Sequence, residues 1–281
     1  MVGFRPRRSA LYMPGSNVRA MNKAKSLPVD CVIMDLEDGV APDSKQTARQ
    51  QVNEAISGGG FGYRELIIRV NDFKSEWFAE DVRMAVASGA DGLLVPKVGN
   101  PADIVRTGEI ISAQQPSEKQ DELNSGKTGK TFQIWAMMET PQAMLNAAQI
   151  AELAAGKEPR LSCFVMGTND LAKETGAALS SDRLPMLYWL SSCMTAARAY
   201  GLSILDGVFN DFANDRGFRA ECTQGKSIGM DGKTLIHPRQ IDISNSVFAP
   251  GDDEVLWSRK IIAAFEKPEN QGKGVISLDG K

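Results

Sequence analysis

Eight short runs rich in apolar and β-branched residues recur along the chain, and segments with helical periodicity separate them. One such segment, Glu76–Ser88, places Phe78, Val82 and Ala85 on one helical face. The alternation is typical of repeated βα units around a parallel sheet. The predicted strands are Ser9–Met13, Cys31–Glu37, Glu65–Asn71, Gly92–Val98, Phe132–Glu139, Leu161–Gly167, Leu202–Val208 and Gly232–Pro238.

Eight strands in 281 residues fit an α/β fold of the TIM (β/α)8 barrel type, for which about 250 residues is typical. A doubly wound open sheet is the alternative, but no GxGxxG or Walker sequence follows any predicted strand. We expect residues 1–250 to form the barrel and residues 251–281 to add a C-terminal helix and a lid-like tail, Gln271–Lys281. The polar stretch Gln114–Lys130 is expected to be an exposed excursion before the fifth strand.

Charge and composition exclude several classes of protein. Lys and Arg total 32 against 35 acids, a net charge of -3, so no global field attracts nucleic acid or an anionic membrane. The apolar runs fall far short of the roughly 20 residues that a membrane helix needs. The 4 cysteines form no CxxC pair, which favours a reducing, cytoplasmic location.

The amino terminus is basic, since residues 1–29 contain no Asp or Glu. Such a composition is also found in transit peptides. Because Ser9–Met13 is already the first predicted strand, we prefer a patch that faces phosphate groups.

Polar residues recur where the predicted strands end, which is where a barrel carries its active site. They are Asp35, Glu37, Asp38, Arg69, Asn71, Lys97, Glu139, Asp170, Asp206 and His237. Acids that converge on one pocket repel each other unless a cation joins them. Oxygen ligands and a single histidine favour a hard ion, Mg²⁺ or Mn²⁺.

Glu139 and Asp170 are each weak candidates when considered singly. A lone acid at a strand end is more often a cap or an ion-pair partner, and the Asn169-Asp170 pair also suits a turn or a helix N-cap. Their position after adjacent strands makes them the best candidate pair for the metal.

Seven motifs occur in order along the chain: MPGSN at 13–17, MDLEDGVAP at 34–42, IRVN at 68–71, VPKV at 95–98, METP at 138–141, GTNDL at 167–171 and GKTLIHPRQI at 232–241. Together they resemble the HpcH/HpaI aldolase and citrate lyase β-subunit superfamily, and the nearer branch is similar to the citramalyl-CoA and malyl-CoA lyases. The resemblance runs from about Arg7 to Gly274.

The resemblance implies a role for each matching residue. Glu139 and Asp170 would bind Mg²⁺, and Arg69 would hold the substrate carboxylate and the oxygen on the neighbouring carbon. The residues Asp35, Glu37 and Asp38 would order the waters around the metal. The residues expected to meet the coenzyme A phosphates are Arg8, Arg19 and Lys23.

The resemblance implies a carbon–carbon lyase that cleaves a 3-hydroxyacyl-CoA thioester to acetyl-CoA and pyruvate or glyoxylate. Three alternatives stay open: a citrate lyase β-subunit acting on citryl carried by an acyl carrier protein, a coenzyme-independent hydroxy-keto-acid aldolase, and a barrel with a vestigial site. The resembling CoA lyases form trimers and take an acid/base Asp from a segment that follows a GKG sequence. After Gly272-Lys273-Gly274 we find no matching Asp, so no general acid is assigned.

Several residues at the strand ends also have ordinary structural interpretations. Asp206 precedes a glycine and suits a turn, and His237 precedes a proline and suits a structural hydrogen bond. Lys97 is a minority candidate for a Schiff-base lysine. The residues Met137 and Met138 are expected in the core or in a pocket wall.

Overall fold

The computed structural model describes residues 5–114, 131–156 and 160–278. Eight parallel strands close into one barrel, because β1 pairs with β2 on one side and with β8 on the other. The strands are β1 Ser9–Pro14, β2 Cys31–Asp35, β3 Glu65–Arg69, β4 Gly92–Val95, β5 Gln133–Met138, β6 Leu161–Met166, β7 Ser203–Asp206 and β8 Gly232–Leu235. The predicted TIM barrel is confirmed.

Helices follow the strands and form the outer layer. The described ones are α1 Val18–Ala24, α2 Lys45–Ser57, α3 Phe78–Ala87, α4 Pro101–Gln114, α5 Pro141–Leu145, α6 Ala147–Glu152, α7 Thr168–Thr175, α8 Leu187–Ala199, α9 Asp215–Ile228, α10 Ile241–Phe248 and α11 Asp252–Phe265. The last of these is the expected C-terminal helix. None of the helices in the described ranges is both long and apolar enough to cross a bilayer.

The core has two parts, because successive side chains of a strand point to opposite faces. The larger part lies between the strands and the helices and includes Leu11, Val32 and Phe164. The smaller part fills the barrel interior, where Tyr12 packs against buried residues. Those residues are Ala10, Cys31, Ile33, Ile67, Leu94, Trp135, Met137, Cys163, Val165 and Leu205.

A polar network closes the amino-terminal end of the barrel. Arg7 donates to both carboxylate oxygens of Glu65 at 2.8 Å, to Gln133 at 2.8 Å and to Ser203 at 3.0 Å. Its guanidinium lies 4.8 Å from the ring centroid of Trp135. Among the described residues, this network therefore covers the amino-terminal end of the barrel interior.

The predicted strands from the second onward run past the observed ends. The fourth was expected to reach Val98, whereas β4 ends at Val95. The extra residues belong to the βα loops, where Pro96 and the left-handed Lys97 leave the sheet. The expected excursion Gln114–Lys130 lies outside the described residues from position 115 onward. All 4 cysteines are free and buried.

Candidate active site

A cavity of about 300 Å³ opens at the carboxyl ends of the strands. Residues from β1, β2, β3, β5, β6 and β8, from the loops that follow β2, β5, β6, β7 and β8, and from the first turn of α7 surround it. The lining residues are Tyr12, Pro14, Asp35, Asp38, Gly39, Arg69, Met137, Glu139, Met166, Gly167, Thr168, Asn169, Asp170, Val208, Thr234 and Ile236. The site thus contains Arg69, Glu139 and Asp170 together.

Glu139 follows the last residue of β5 and is almost completely buried. Its Oε1 accepts the backbone N–H of Lys97 at 2.7 Å. Its Oε2 is buried and has no hydrogen-bond partner among the described residues. A side chain at position 167 would overlap Glu139, so glycine is needed there for the segment after β6 to pack this closely against Glu139. One carboxylate oxygen of Glu139 is therefore fixed, and the other is left for a ligand.

The charge of Glu139 is costly to form in this environment. Burial, with the nearby charges of Glu37 and Asp170, raises the pKa of Glu139 to about 8, although the N–H of Lys97 opposes the shift. A divalent cation beside Oε2 would favour the ionised form. The buried, unpartnered oxygen therefore fits a metal ligand.

Asp170 lies in the first turn of α7 and is partly exposed to the cavity. In the described part of the chain, no group of three or more His, Cys, Asp and Glu side chains has the spacing of a metal site. Two carboxylates still suffice for Mg²⁺, since this ion commonly binds one or two protein carboxylates and takes its other ligands from water and substrate.

Arg69 is the last residue of β3 and is held by carboxylates. Its Nε and Nη2 donate to the two oxygens of Asp35 at 2.6 and 2.7 Å. Its Nη1 lies 3.0 Å from Glu37 and 3.5 Å from Asp38. The two-point pairing with Asp35 fixes the plane of the guanidinium and leaves Nη1 to contact Glu37 and Asp38 where Arg69 lines the cavity.

The loop after β2 is itself fixed by hydrogen bonds. Asp35 accepts the backbone N–H groups of Glu37 at 2.9 Å and of Gly39 at 2.8 Å. Lys45 donates to the carbonyl oxygens of Leu36 and Glu37 at 2.7 Å each. The acids of this loop therefore have a defined position before any ligand binds.

The two buried acids of this loop have opposite pKa shifts. Burial would raise the pKa of Asp35, but Arg69 lowers it below its usual value. Burial raises the pKa of Glu37 to about 6 despite Arg69 and Lys97. Asp35 therefore serves as the permanent counterion of Arg69, whereas Glu37 titrates close to neutral pH.

Carboxylates outnumber cations around the cavity. The acids are Asp35, Glu37, Asp38, Glu139 and Asp170, and the cations in contact with this group are Arg69, Lys97 and Lys45. An excess of buried negative charge is unfavourable unless a cation compensates for it. The electrostatics favour a positively charged ligand such as a metal ion.

The predicted coenzyme residues divide between the two ends of the barrel. Arg8 precedes β1 and therefore lies at the amino-terminal end, where it forms a two-point ion pair with Asp30 at 2.8 Å. Arg8 therefore does not line the cavity, which opens at the other end. Arg19 and Lys23 are exposed on α1, which directly follows β1, but they do not line the cavity.

Comparison with known protein families agrees with this geometry. The model of the HpcH/HpaI aldolase/citrate lyase family matches residues 8–238. The chain belongs to this family. The expected membership is confirmed, and the family's description is that of enzymes that make or break carbon–carbon bonds, the predicted class of lyase.

Curated members of the HpcH/HpaI family resemble the chain over nearly its whole length. It is 46% identical to a (3S)-malyl-CoA thioesterase of Cereibacter sphaeroides over 98% of this chain and 89% of that protein. It is 34% identical to citrate lyase subunit beta of Escherichia coli, over 99% and 88% of the two chains. It is 30% identical to the mitochondrial citramalyl-CoA lyase of Homo sapiens, over 98% and 80%.

A solved structure of similar fold is the protein CitE from Mycobacterium tuberculosis in complex with magnesium, acetoacetate and coenzyme A. Its TM-score is 0.70 at 22% identity, over 98% of this chain and 91% of that one. At this identity the likeness supports the fold alone, which agrees with the closed barrel described above.

Lys97 does not fit a Schiff-base lysine. Burial alone would lower the pKa of Lys97, but the ion pair with Glu37 at 3.2 Å outweighs this effect and raises the pKa above its usual value. The amine therefore stays protonated and is a poor nucleophile. Its contribution to the site is the backbone N–H that Glu139 accepts. Its backbone is left-handed, with φ 51°, a strained conformation for a residue other than glycine.

Two other strand-end residues lie outside the cavity lining. Asp206 is completely buried, where Arg183 donates to its oxygens at 2.7 and 2.8 Å and Lys233 at 3.0 Å. His237 accepts the backbone N–H of Arg239 at 3.2 Å, and its ring stacks on Phe212. The structural hydrogen bond predicted for His237 is therefore correct, whereas Asp206 is not the expected turn residue but the last residue of β7 and a buried counterion.

Met137 lines the cavity and Met138 is buried in the core, as expected. Tyr12, Asn169 and Thr234 also line the cavity, although the sequence did not single them out. Tyr12 lies two residues after Ala10, and both face the barrel interior from β1. The alternation of side chains along a strand could therefore have predicted that Tyr12 faces the interior.

Proposed function

We propose that the protein is a Mg²⁺-dependent enzyme that cleaves the bond between C2 and C3 of a 3-hydroxyacyl-CoA thioester of the malyl-CoA or citramalyl-CoA type. The products are acetyl-CoA and a 2-keto acid, glyoxylate or pyruvate. One observation carries the proposal: Glu139, whose buried Oε2 has no hydrogen-bond partner among the described residues, lines the same cavity as Asp170 and the fixed Arg69.

Glu139 and Asp170 would hold the metal, and Mn²⁺ would fit the same oxygen ligands. Bound Mg²⁺ supplies Lewis acidity, which makes a substrate hydroxyl easier to deprotonate. Asp35, Glu37 and Asp38 lie beside the site and are suited to orient water around the ion.

Arg69 is suited to hold the substrate through the carboxylate of its keto-acid half and the oxygen on the neighbouring carbon. Its Nη1 is the nitrogen that the Asp35 pair does not use, and Arg69 lines the cavity. In the reaction the hydroxyl loses its proton, the electron pair of the C2–C3 bond passes to the thioester as an enolate, and the enolate takes up a proton at C2. A positioned guanidinium stabilises the oxygen that bears charge during this change.

Arg19 and Lys23 are the candidates for the coenzyme phosphates. They lie four residues apart on the exposed face of α1, which begins just after β1 at the open end of the barrel. Exposed cations beside a cavity mouth attract an anionic carrier. The predicted trimer and the cytoplasmic location stay predictions.

Hydrolysis of the thioester is the second candidate function. The relative that is 46% identical over 98% of this chain is named a (3S)-malyl-CoA thioesterase. The same carboxylates and Arg69 would bind the same substrate, but water would attack the thioester carbonyl, and free CoA and malate would leave.

A single product analysis separates these reactions. Purified protein with Mg²⁺ is incubated with malyl-CoA, citramalyl-CoA, citryl-CoA, citryl bound to an acyl carrier protein, or a 4-hydroxy-2-keto acid, and the acetyl thioester, free CoA and keto acids are quantified. Acetyl-CoA with an equal amount of glyoxylate or pyruvate supports the lyase. Free CoA with malate supports the thioesterase.

The remaining results of this assay also discriminate. Cleavage of the 4-hydroxy-2-keto acid alone supports a coenzyme-independent aldolase. Turnover of citryl only when it is bound to an acyl carrier protein supports a citrate lyase subunit. No reaction with any substrate or metal supports a vestigial site and contradicts the proposal.

A further inference from the structure

Three side chains from alternate strands meet at the floor of the cavity. Tyr12 comes from β1, Arg69 from β3 and Met137 from β5. Alternate strands of such a barrel contribute the side chains of one interior layer. Tyr12 and Met137 also belong to the apolar interior of the barrel. The three residues form its uppermost layer, directly below the space that a ligand would occupy.

Two strong hydrogen-bond donors of this layer converge on one weak acceptor. The Oη of Tyr12 and the Nη1 of Arg69 each lie 3.9 Å from the Sδ of Met137, and Nη1 also contacts the carboxylates of Glu37 and Asp38. A thioether sulfur accepts hydrogen bonds only weakly. Within the described part of the chain, this sulfur is the hydrogen-bond partner available to the Tyr12 hydroxyl. An oxygen atom between the two donors would make a much better acceptor than the sulfur.

The hydroxyl of Tyr12 retains its proton in this environment. Burial raises the pKa of Tyr12, and the opposing effect of Arg69 does not cancel this shift. The guanidinium carbon of Arg69 lies 4.9 Å from the centre of the tyrosine ring, a cation–π contact that keeps the two groups together. Tyr12 is therefore a neutral donor with a fixed relation to Arg69.

We propose that the Tyr12 hydroxyl is a catalytic hydrogen-bond donor that, together with Nη1 of Arg69, binds the substrate oxygen on C3. This oxygen is the hydroxyl of the intact thioester and becomes the carbonyl oxygen of the released keto acid. The inference rests on the proposed function and adds a second donor to it. Tyr12 donates without giving up its proton, so the proton lost by the substrate goes elsewhere.

The expected effect of Tyr12 is on the rate more than on binding. Negative charge grows on the C3 oxygen as the substrate hydroxyl loses its proton, and a hydrogen bond to that oxygen strengthens accordingly. Loss of one donor to such an oxygen typically lowers kcat by about 100- to 1,000-fold. Because Arg69 remains, we expect Tyr12→Phe to lower kcat by about 10- to 100-fold.

The experiment measures kcat and KM for malyl-CoA and citramalyl-CoA cleavage in Tyr12→Phe. Tyr188→Phe is the matched control, since Tyr188 is 77% exposed and lies outside the cavity lining. Tyr12→Phe removes a hydroxyl whose partner is a weak acceptor, so its Tm should stay close to that of the wild type. An unchanged kcat in Tyr12→Phe would overturn the proposal.

A binding measurement tests Tyr12 independently of turnover. Glyoxylate and pyruvate are titrated into the Mg²⁺-loaded protein in a calorimeter. The Kd should be about 5- to 10-fold larger for Tyr12→Phe than for the wild type and Tyr188→Phe. If the wild type cleaves neither thioester but shows this difference, the proposed reaction is wrong and the donor role of Tyr12 stands. Equal Kd values, or no binding of either keto acid to the wild type, would overturn the donor role.

Discussion

The backbone N–H of Lys97 donates to Oε1 of Glu139 at 2.7 Å while Lys97 adopts a left-handed φ of 51°. Such a conformation costs about 1–3 kcal/mol for a residue that is not glycine. The hydrogen bond orients the carboxylate, so that Oε2 is left in the cavity without a partner among the described residues. A strained loop after β4 thus fixes an acid after β5.

Glu139→Gln should abolish metal-dependent activity with little loss of stability. Glutamine keeps the size of the side chain but loses the charge that a hard cation requires. Removal of a hydrogen-bond partner of a metal ligand typically lowers metal affinity or activity by about 10- to 100-fold. Removal of the ligand itself should lower Mg²⁺ affinity and kcat by at least as much. Calorimetric titration with Mg²⁺ and a turnover assay measure both effects. Glu152→Gln, a change of an exposed acid on α6, should behave as the wild type.

Mg²⁺ affinity should increase with pH. The pKa of Glu139 is raised to about 8, so below pH 8 a proton must leave before the metal binds. We expect the Kd to fall by about tenfold per pH unit between pH 6 and 8 and to level off above pH 8. Titrations at four pH values measure this slope, and a pH-independent Kd in the wild type would contradict the assignment of Glu139.

The same shift predicts the pH dependence of the metal-free fold. Because the folded protein holds the Glu139 proton more tightly than the unfolded chain, the free energy of unfolding should decrease as the pH rises from about 4.5 to about 8. Urea denaturation of wild type and Glu139→Gln at matched pH isolates this contribution. The stability difference between the two proteins should widen over this range and stay constant above it.

Lys97→Gly should keep the fold and the metal dependence. Glycine adopts the left-handed conformation without strain and retains the N–H that Glu139 accepts. The lost ion pair with Glu37 is partly exposed at the lysine, so its contribution is small. The Tm should be equal to or slightly above that of the wild type. Borohydride treatment with pyruvate should leave no covalent adduct on wild type, as mass spectrometry would show.

Asp206→Asn should destabilise the protein by up to about 3–5 kcal/mol, because it removes the fully buried carboxylate that Lys233 and Arg183 share and leaves these two charges with Glu221, at 2.6 and 3.8 Å. Asp215→Asn is the control, since both partners of its ion pair with Arg239 are more than half exposed, and it should cost less than about 1 kcal/mol. Urea denaturation gives both values. Equal values for the two variants would contradict the importance of burial.

Asp206 also predicts a loss of stability in acid. Burial would raise its pKa, but Lys233 and Arg183 lower it below the usual value of 3.8. The stabilisation is therefore fully present above pH 4 and is lost as the pH falls below that value. Acid unfolding of the wild type compared with Asp206→Asn measures this contribution.

The double change of Arg19 and Lys23 to alanine should raise KM for the CoA thioester by about tenfold and leave kcat nearly unchanged. Exposed cations contribute to substrate capture, and salt screens their effect. Arg8→Ala should instead lower the Tm and leave KM unchanged, because Arg8 pairs with Asp30 at the other end of the barrel. An increase of KM in Arg8→Ala would contradict this separation.

The barrel was predictable because its pattern is local. In each βα unit the hydrophobic pattern changes from that of a strand to that of a helix, and eight such units are compatible with few folds. Glu139 and Asp170 were identified in the same way, as acids that follow adjacent strands. The position of Arg8 away from the cavity was also predictable, since a residue that precedes a strand lies at the amino-terminal end of the barrel.

Other features depend on residues that are distant in the sequence. Tyr12 is a donor candidate only because Met137 and Arg69 reach it from β5 and β3. The left-handed backbone of Lys97 follows from its contact with Glu139, which no local propensity encodes. The buried group around Asp206 needs Arg183 and Lys233 from different elements. Such relations require the folded geometry.

Within the described residues, the network around Arg7 closes the amino-terminal end of the barrel, and the cavity opens at the carboxyl ends of the strands. A small fragment formed on the floor beside Tyr12 has no exit behind it and must leave along the path of the larger coenzyme-bearing fragment. Under the proposed reaction, acetyl-CoA therefore departs first and the keto acid last. The keto acid and the intact thioester then bind to the same form, the free enzyme. The keto acid should therefore be a competitive product inhibitor with respect to the thioester, and acetyl-CoA should be a noncompetitive one.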